Sequence, residues 1–310
     1  MTNLIIFGET MLELSRADDQ HYKKSFAGDV HSVALYLKRA SSAASSYLLT
    51  GIGQDVLSAD LLQTLKSQSI ETELALPHPK KTLGIYMVNT DEHGERSFDY
   101  WRENSAARET LNLIDEVQRQ KILALKADAF FFSGISLAIL DEASRSKLWA
   151  LISELKQAGT QIYFDPNYRP KLWRSIDETR AAFEQAFSLS DLILPSLEDM
   201  QQLWDAASFE DAAMKLRQFA PDAALVIKDG PAGILYADET EQFHLPVTPV
   251  ANVVDTTAAG DSFNGSFIAA RIAGKSAHDA LDFAARVAAE VIQHKGAVIT
   301  MDAYAAISPL

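Results

Sequence analysis

Short apolar runs recur along the whole chain with longer amphipathic stretches between them, and this alternation limits the possible folds more than any other feature. The runs cover residues 4–7, 47–49, 129–132, 161–164, 192–194 and 225–227. Runs of this length alternating with helical segments predict βα units around a mainly parallel sheet. One of the intervening stretches carries Ala280, Leu281, Ala284, Val287, Ala288 and Val291 at helical spacing. Such a stripe marks a helix face packed into a core.

With 310 residues, one large domain spanning 1–310 with a smaller appended element is expected, since single cores stop growing near this size. Two regions break the βα rhythm. Residues 9–26 and 83–102 are strand-like with polar alternation, and in the second region residues 84–89 and 96–101 flank the turn-like Asp91-Glu92-His93-Gly94. Their exposed aromatics predict either a lid over a cleft or a surface for self-association.

The net charge of −14 argues against nucleic acid or an anionic membrane as partner. It does not exclude a small phosphorylated ligand, which responds to local donors and helix ends rather than to distant charge. The absence of cysteine rules out disulfides, thiolate nucleophiles and cysteine-ligated metal centres and fits a reducing compartment. The apolar run at the N-terminus is too short for a secretory signal, so the cytoplasm is the expected location.

The chemistry concentrates in Asp255-Thr256-Thr257-Ala258-Ala259-Gly260-Asp261-Ser262-Phe263. Small residues stand where a helix should begin. Unpaired N–H groups at such a start bind anions, and side chains no larger than alanine let a phosphate reach the backbone. Asp261 in the first turn either complements the helix dipole or acts as a base that takes a hydroxyl proton while the amides hold phosphoryl charge.

This segment resembles the signature of the ribokinase-like family, also called the phosphofructokinase-B family, whose usual form is Asp-Thr-x-Gly-Ala-Gly-Asp. Gly8-Glu9, Phe26-Ala27-Gly28-Asp29, Gly51-Ile52-Gly53-Gln54-Asp55, Ser133-Gly134-Ile135-Ser136 and Asp165-Pro166-Asn167-Tyr168-Arg169 follow in the family's order. The resemblance implies an α/β ribokinase-like fold, a mainly parallel central sheet flanked by helices with a small β lid. It also implies that Asp261 is the catalytic base and that the amides of Ala258, Ala259 and Gly260 form the anion hole. Ala258 stands where the family usually has its first glycine.

Tyr100-Trp101-Arg102, residues 133–140 and residues 167–173 resemble the branch of the family that acts on the acid sugar 2-keto-3-deoxygluconate. The resemblance implies substrate contacts at Gly28, Tyr86, Tyr100, Arg102 and Arg169, with Asp261. The residue types suit a keto acid, which needs a cation for its carboxylate and hydroxyl donors for its other oxygens. Two alternatives stay open: Arg102 as a surface arginine stacked on Trp101 or Tyr100, and Arg169 as a helix-forming or solvent-facing residue.

For ATP, Lys228, Gly230 and Gly233 resemble the family's glycine loop, which also reads as a hairpin turn, and Asn167 approaches the phosphates from the other side. Mg²⁺ is implied indirectly at Asp199 or Glu198, where Ser196-Leu197-Glu198-Asp199 replaces the family's Asn-x-x-Glu. Asp255 and Thr257 resemble positions that hold a monovalent cation, K⁺, in some relatives. Ala27 and Ser32 also depart from the family's Gly-Gly-Asp-x-x-Asn. Gly274-Lys275-Ser276 ends like a P-loop, but position 269 is alanine where that motif needs glycine.

The expected activity is ATP-dependent phosphorylation of the acid sugar at its terminal hydroxyl, by a homo-oligomer associating through the lid. The alternatives are a kinase for another sugar or aldonate, and a non-catalytic sugar or nucleotide sensor.

Overall fold

The structure, a computed structural model, describes residues 2–18, 20–90 and 96–307. The turn expected at 91–94 lies outside the described residues. In chain order the strands are β1 (Thr2–Phe7), β2 (Met11–Arg16), β3 (Tyr22–Ala27), β4 (Ala44–Ile52), β5 (Ala75–Pro77), β6 (Ile85–Thr90), β7 (Arg96–Trp101), β8 (Ala129–Ser133), β9 (Gln161–Asp165), β10 (Leu192–Ile193), β11 (Ala224–Lys228), β12 (Ile234–Ala237) and β13 (Gln242–Leu245). All six apolar runs are strands of one nine-stranded sheet, in the order β13-β12-β11-β10-β9-β8-β1-β4-β5.

The sheet is parallel from β5 to β11, and its antiparallel pairings are those of β12 with β11 and with β13. Both faces are covered. Ile5, Phe7, Phe130 and Phe132 enter the core on one side, and Leu4, Ile6 and Phe131 enter the core on the other. This is why these strands read as unbroken apolar runs rather than as alternations.

From β1 the strands go outward in both directions, to β4 and β5 on one side and to β8 through β11 on the other. The strand order therefore reverses between β1 and β8. Open α/β sheets bind ligands in the crevice beyond the carboxyl ends of the strands at such a reversal. The second sheet, β3-β2-β6-β7, has four strands. Tyr86 lies opposite Glu13 and Tyr100, and Glu13 lies opposite Ser25, so these four side chains share one face. That face also carries Met11, Ala27 and Val88, which cluster with Ala297 and the partly buried Ala258. The small sheet thus lies over the loop where the Asp261 helix starts.

Two helices meet beneath that crevice. Asp29–Ala40 packs against Ala259–Ile272 with Gly265 at the contact. A Cβ on Gly265 would lie 2.5 Å from the Val33 carbonyl oxygen and 2.8 Å from the Leu37 nitrogen. The residues at 274–276 form the turn after this helix. Gly274 has φ +78°, and the Ser276 side chain caps the helix Ala277–Val291 by accepting from Asp279 N–H at 3.1 Å. Among the described residues no helix is long and apolar enough to cross a membrane.

Gly265→Ala should lower stability by about 1–3 kcal/mol, the usual cost of overpacking, because rigid backbone rather than a flexible side chain meets the added methyl. Denaturant unfolding measures this, and a variant as stable as the parent protein would show that the two helices can separate freely.

Candidate active site

The crevice at the strand reversal collects charged and polar groups from the carboxyl end of nearly every central strand. Glu9 follows β1, Ser133 closes β8, and Asp165 closes β9. Asn167 and Arg169 come next along the chain, Asp199 follows β10, and Lys228 closes β11. The helices Asp29–Ala40 and Ala259–Ile272 add Asp29 and Asp261 in their first turns.

The loop before Asp261 is built by local hydrogen bonds. Asp255 Oδ1 accepts from Thr257 N–H at 3.0 Å and Oδ2 from Gly296 N–H at 2.6 Å. Ala258 sits in the left-handed region with φ +61° and ψ +15°. This explains the family's glycine at that position. Alanine pays for the conformation with about 1–2 kcal/mol of steric strain.

Ala259 N–H donates to the Thr256 carbonyl at 3.2 Å, and Ser262 N–H donates to the Ala258 carbonyl at 2.8 Å. The expected anion hole is therefore narrowed, because the Ala259 amide is already engaged. The first turn of a helix leaves its remaining amides without intrahelical acceptors, here those of Gly260 and Asp261. A Cβ on Gly260 would meet nothing within 4 Å. Gly260 itself is exposed, so the start of the helix is reached from solvent on that side.

One turn beyond Asp261, Asn264 ties the helix to the sheet. Lys228 Nζ donates to Asn264 Oδ1 at 2.8 Å, and Asn264 Nδ2 donates to Asp165 Oδ2 at 2.6 Å. Lys228 Nζ lies 4.0 Å from the same Asp165 oxygen. Burial is the main cause that pushes Asp165 up to about 6, while Lys228 pulls it down. Asp261 is also held well above the usual carboxylate range. Desolvation by the surrounding protein is the largest cause, followed by Asp29 and Asp165, and the opposing cations are Arg169 and Lys228. A carboxyl with such an environment accepts a proton more readily than an exposed aspartate.

The residues expected to contact substrate divide between the two sheets. A Cβ on Gly28 would fall 2.5 Å from the Glu9 carbonyl oxygen, so glycine here lets the chain leaving β3 approach the backbone that joins β1 to β2. Asp29 Oδ2 accepts from Ser133 Oγ at 2.5 Å, across the strand reversal. Tyr86 is buried and donates its hydroxyl to Glu13, and Ser25 Oγ donates to the other Glu13 oxygen at 2.9 Å. Tyr100 stacks on Tyr86 at 5.8 Å yet stays 46% exposed on that face. Arg102 lies over the Tyr100 ring at 5.9 Å. Arg102 is not a surface arginine: it is only 7% exposed and pairs with the buried carboxylate of Glu9.

Arg169 is exposed and non-helical, and its charge acts on both Tyr100 and Asp261. It is thus placed between the small sheet and the helix start. Asn167 adopts a left-handed backbone with φ +35°, and its N–H donates to Asp165 Oδ1 at 3.1 Å. Lys228 closes β11, and residues 229–233 form the turn into β12, so the hairpin reading of that segment holds structurally.

Ser196 caps the helix Leu197–Trp204 and forms a capping box with Asp199. Asp199 Oδ1 accepts from Tyr168 N–H at 2.9 Å, and Oδ2 accepts from Ser196 N–H at 3.0 Å. The two departures from the family's Asn-x-x-Glu therefore belong to one local unit. Glu198 is exposed and accepts from Gln202 at 2.8 Å on the outer face of that helix.

Four residues without an assigned role in the sequence reading belong here: Glu9, Asp29, Asp165 and Asn264. Glu9 and Asp165 could have been found as acidic residues directly beyond apolar strands, where α/β folds place ligands. Asn264 carries no such signal, since its role follows from helix phase and from contact with Lys228.

Residues 1–303 match the family described as pfkB family carbohydrate kinase. The 2-dehydro-3-deoxygluconokinase of Dickeya dadantii is 35% identical over 306 residues, covering 97% of this chain and 98% of that protein. The protein of the same name from Haemophilus influenzae is 34% identical over 305 residues, covering 96% of each chain. Among solved structures, the PfkB protein of Polaromonas sp. JS666 superposes with a TM-score of 0.84 at 24% identity, over 99% of this chain and 100% of that one. Similarity at that identity shows the fold.

The raised Asp261 gives a test independent of turnover. Its folded form holds a proton more tightly than the unfolded chain does, so folding stability falls as pH rises from the ordinary carboxylate range through the raised value. Asp261→Asn removes this dependence. The variant's melting temperature should therefore gain on the parent protein's between about pH 5 and about pH 8. A difference that stays constant across that range would show that Asp261 is not desolvated.

Proposed function

The chain belongs to the pfkB family of carbohydrate kinases, and from that membership we propose that it transfers the γ-phosphoryl group of ATP to the terminal hydroxyl of 2-keto-3-deoxygluconate. The products are the 6-phosphate ester and ADP. The single observation that carries the substrate is identity of about one third, over nearly the full length of both chains, to proteins named for this reaction. Arg102 supplies the matching chemistry, a guanidinium buried at the edge of the small sheet, where a neutral sugar would need no charge.

Asp261 removes the proton from the attacking hydroxyl as the new P–O bond forms and the bond to ADP breaks. The amides at the start of its helix hold the phosphoryl oxygens as charge develops. Lys228 adds positive charge near Asp261 and, with Gly230, Gly233 and Asn167, forms the nucleotide side of the site. Gly28, Tyr86, Tyr100, Arg102 and Arg169 form the sugar side. The small sheet acts as a lid that excludes water, so that ATP is not hydrolysed.

Mg²⁺ enters this reading with the nucleotide, held mostly by phosphate and water. Asp199 fits an indirect role, because each of its oxygens takes one backbone N–H and keeps a lone pair for water. Glu198, outward on its helix, is the weaker choice of the two. The ion would neutralise phosphate charge. The buried carboxylate of Asp255 beside Thr257 is the place for K⁺. Tyr22 and Trp101, exposed on the face of the small sheet opposite Tyr100, are the place for association with a second copy. The cytoplasm, where ATP is supplied, is the compartment this reading requires.

An ADP-release assay over acid and neutral sugars tests the reading: 2-keto-3-deoxygluconate should have the highest kcat/KM, and preference for a neutral sugar would overturn it. Asp261→Asn should lower kcat on the order of 10²-fold or more while ATP still binds. Activity within about a factor of three of the parent enzyme would remove Asp261 from the role of base.

Arg102→Ala should raise KM for the acid sugar about 10- to 150-fold, the equivalent of about 1.5–3 kcal/mol for a charge-assisted pair, and leave KM for ATP unmoved. Lysine should recover only part of the loss, since it lacks the planar fork. The alanine variant should also lose about 3–5 kcal/mol of stability, because Glu9 is left buried without its cation. Unchanged KM would show that Arg102 serves only the fold.

A further inference from the structure

The ion pair between Glu9 and Arg102 is the most unusual electrostatic feature among the described residues. Glu9 is 2% exposed and Arg102 7%, and they touch where the end of β1 meets the end of β7. Contact is made without hydrogen-bond geometry. Both Glu9 carboxylate oxygens and the Arg102 Nε and Nη2 atoms are buried with no hydrogen-bond partner among the described residues. Thr10 Oγ1, next to Glu9 in the chain, and Ser105 Oγ, three residues past Arg102, are buried and unpartnered as well.

A buried ion pair whose remaining donors and acceptors go unmet stabilises a fold less than apolar side chains of the same size would. The pair is also closely confined. A Cβ on Gly84 would lie 2.6 Å from Glu9 Oε1 and 3.2 Å from Arg102 Cβ, so backbone closes that side and Glu9 cannot swing toward it. On the other side, Arg102 lies over Tyr100, whose phenol also feels the charge of Arg169. Glu9 therefore keeps the guanidinium inside the junction, at the end of the small sheet beside Tyr100.

We infer that Glu9 is a positioning residue for substrate recognition: through its ion pair it holds Arg102 beneath the small sheet in the orientation that binds the sugar's carboxylate. This rests on the acid-sugar reading and deepens it. Without the carboxylate at Glu9, a buried guanidinium has no counter-charge and turns toward solvent, where it no longer meets the substrate.

Steady-state kinetics on Glu9→Gln, Glu9→Asp, Arg102→Met and Glu9→Gln/Arg102→Met test this. Glu9→Gln should raise KM for 2-keto-3-deoxygluconate about tenfold or more, with kcat within about threefold and KM for ATP unmoved, the pattern of a lost binding orientation. Aspartate, which keeps the charge on a shorter arm, should fall between. Because Glu9 acts through Arg102, Glu9→Gln should add less than about twofold to KM in the Arg102→Met background. If Glu9→Gln fails to fold, Glu9→Asp carries the test with an expected rise of about threefold or more, while the uncharged double variant reports whether the junction folds without the pair. A KM for Glu9→Gln within about twofold of the parent enzyme's, or an equal effect in both backgrounds, overturns the inference alone. A parent enzyme inactive on the acid sugar overturns the substrate reading and this inference with it.

Discussion

Backbone contact between the helices Asp29–Ala40 and Ala259–Ile272 at Gly265 sets the geometry from which the rest of the site follows. With no side chain at that position, the helices come close enough that Asp29 and Asp261, each in a first turn, act on one another electrostatically. Asp29 is tied to Ser133 on β8, and Asn264 ties the Asp261 helix to Asp165 and Lys228 on β9 and β11. The two helix starts are thus fixed to the carboxyl ends of three central strands. A carboxyl and a set of free amides held this firmly need little rearrangement when charge develops beside them, which is the condition for electrostatic catalysis.

The same closeness has an energetic cost. Asp29, Asp165 and Asp261 repel one another in a desolvated crevice, where Lys228 and Arg169 are the opposing cations and Asn264 hydrogen-bonds Asp165. Cations arriving with a nucleotide and acid groups arriving with a sugar both have matching places in this field. At the end of the small sheet the imbalance takes another form: an ion pair is buried, yet its hydrogen-bonding capacity is largely unused. Native folds break local rules of this kind mainly at functional sites.

Much of the fold was legible in the sequence because burial on both faces leaves a plain mark. Phe130, Phe131 and Phe132 in a row, short and rich in aromatic residues, suit a strand covered on both sides, and all six such runs became strands of one sheet. The small sheet was legible too, since one of its faces stays partly exposed and its residues alternate. The helix-start segment from Asp255 to Asp261 was legible because small residues before an acidic first turn have few other uses.

Residue types and their spacing along the chain therefore determined the fold class, and the resemblance of its motifs pointed to the family and to Asp261 as the candidate base. Only the tertiary structure decided how those parts are used. It placed Ala258 in a left-handed conformation, turned the Ala259 amide to Thr256, and used Asp199 to cap a helix and hold Tyr168 N–H. It also brought Glu9 to Arg102 from 93 positions away in the chain. Periodicity and local propensity act over a few residues, whereas a hydrogen bond or ion pair between distant segments depends on the angles at which whole elements pack. Those angles are fixed only when the entire core has formed.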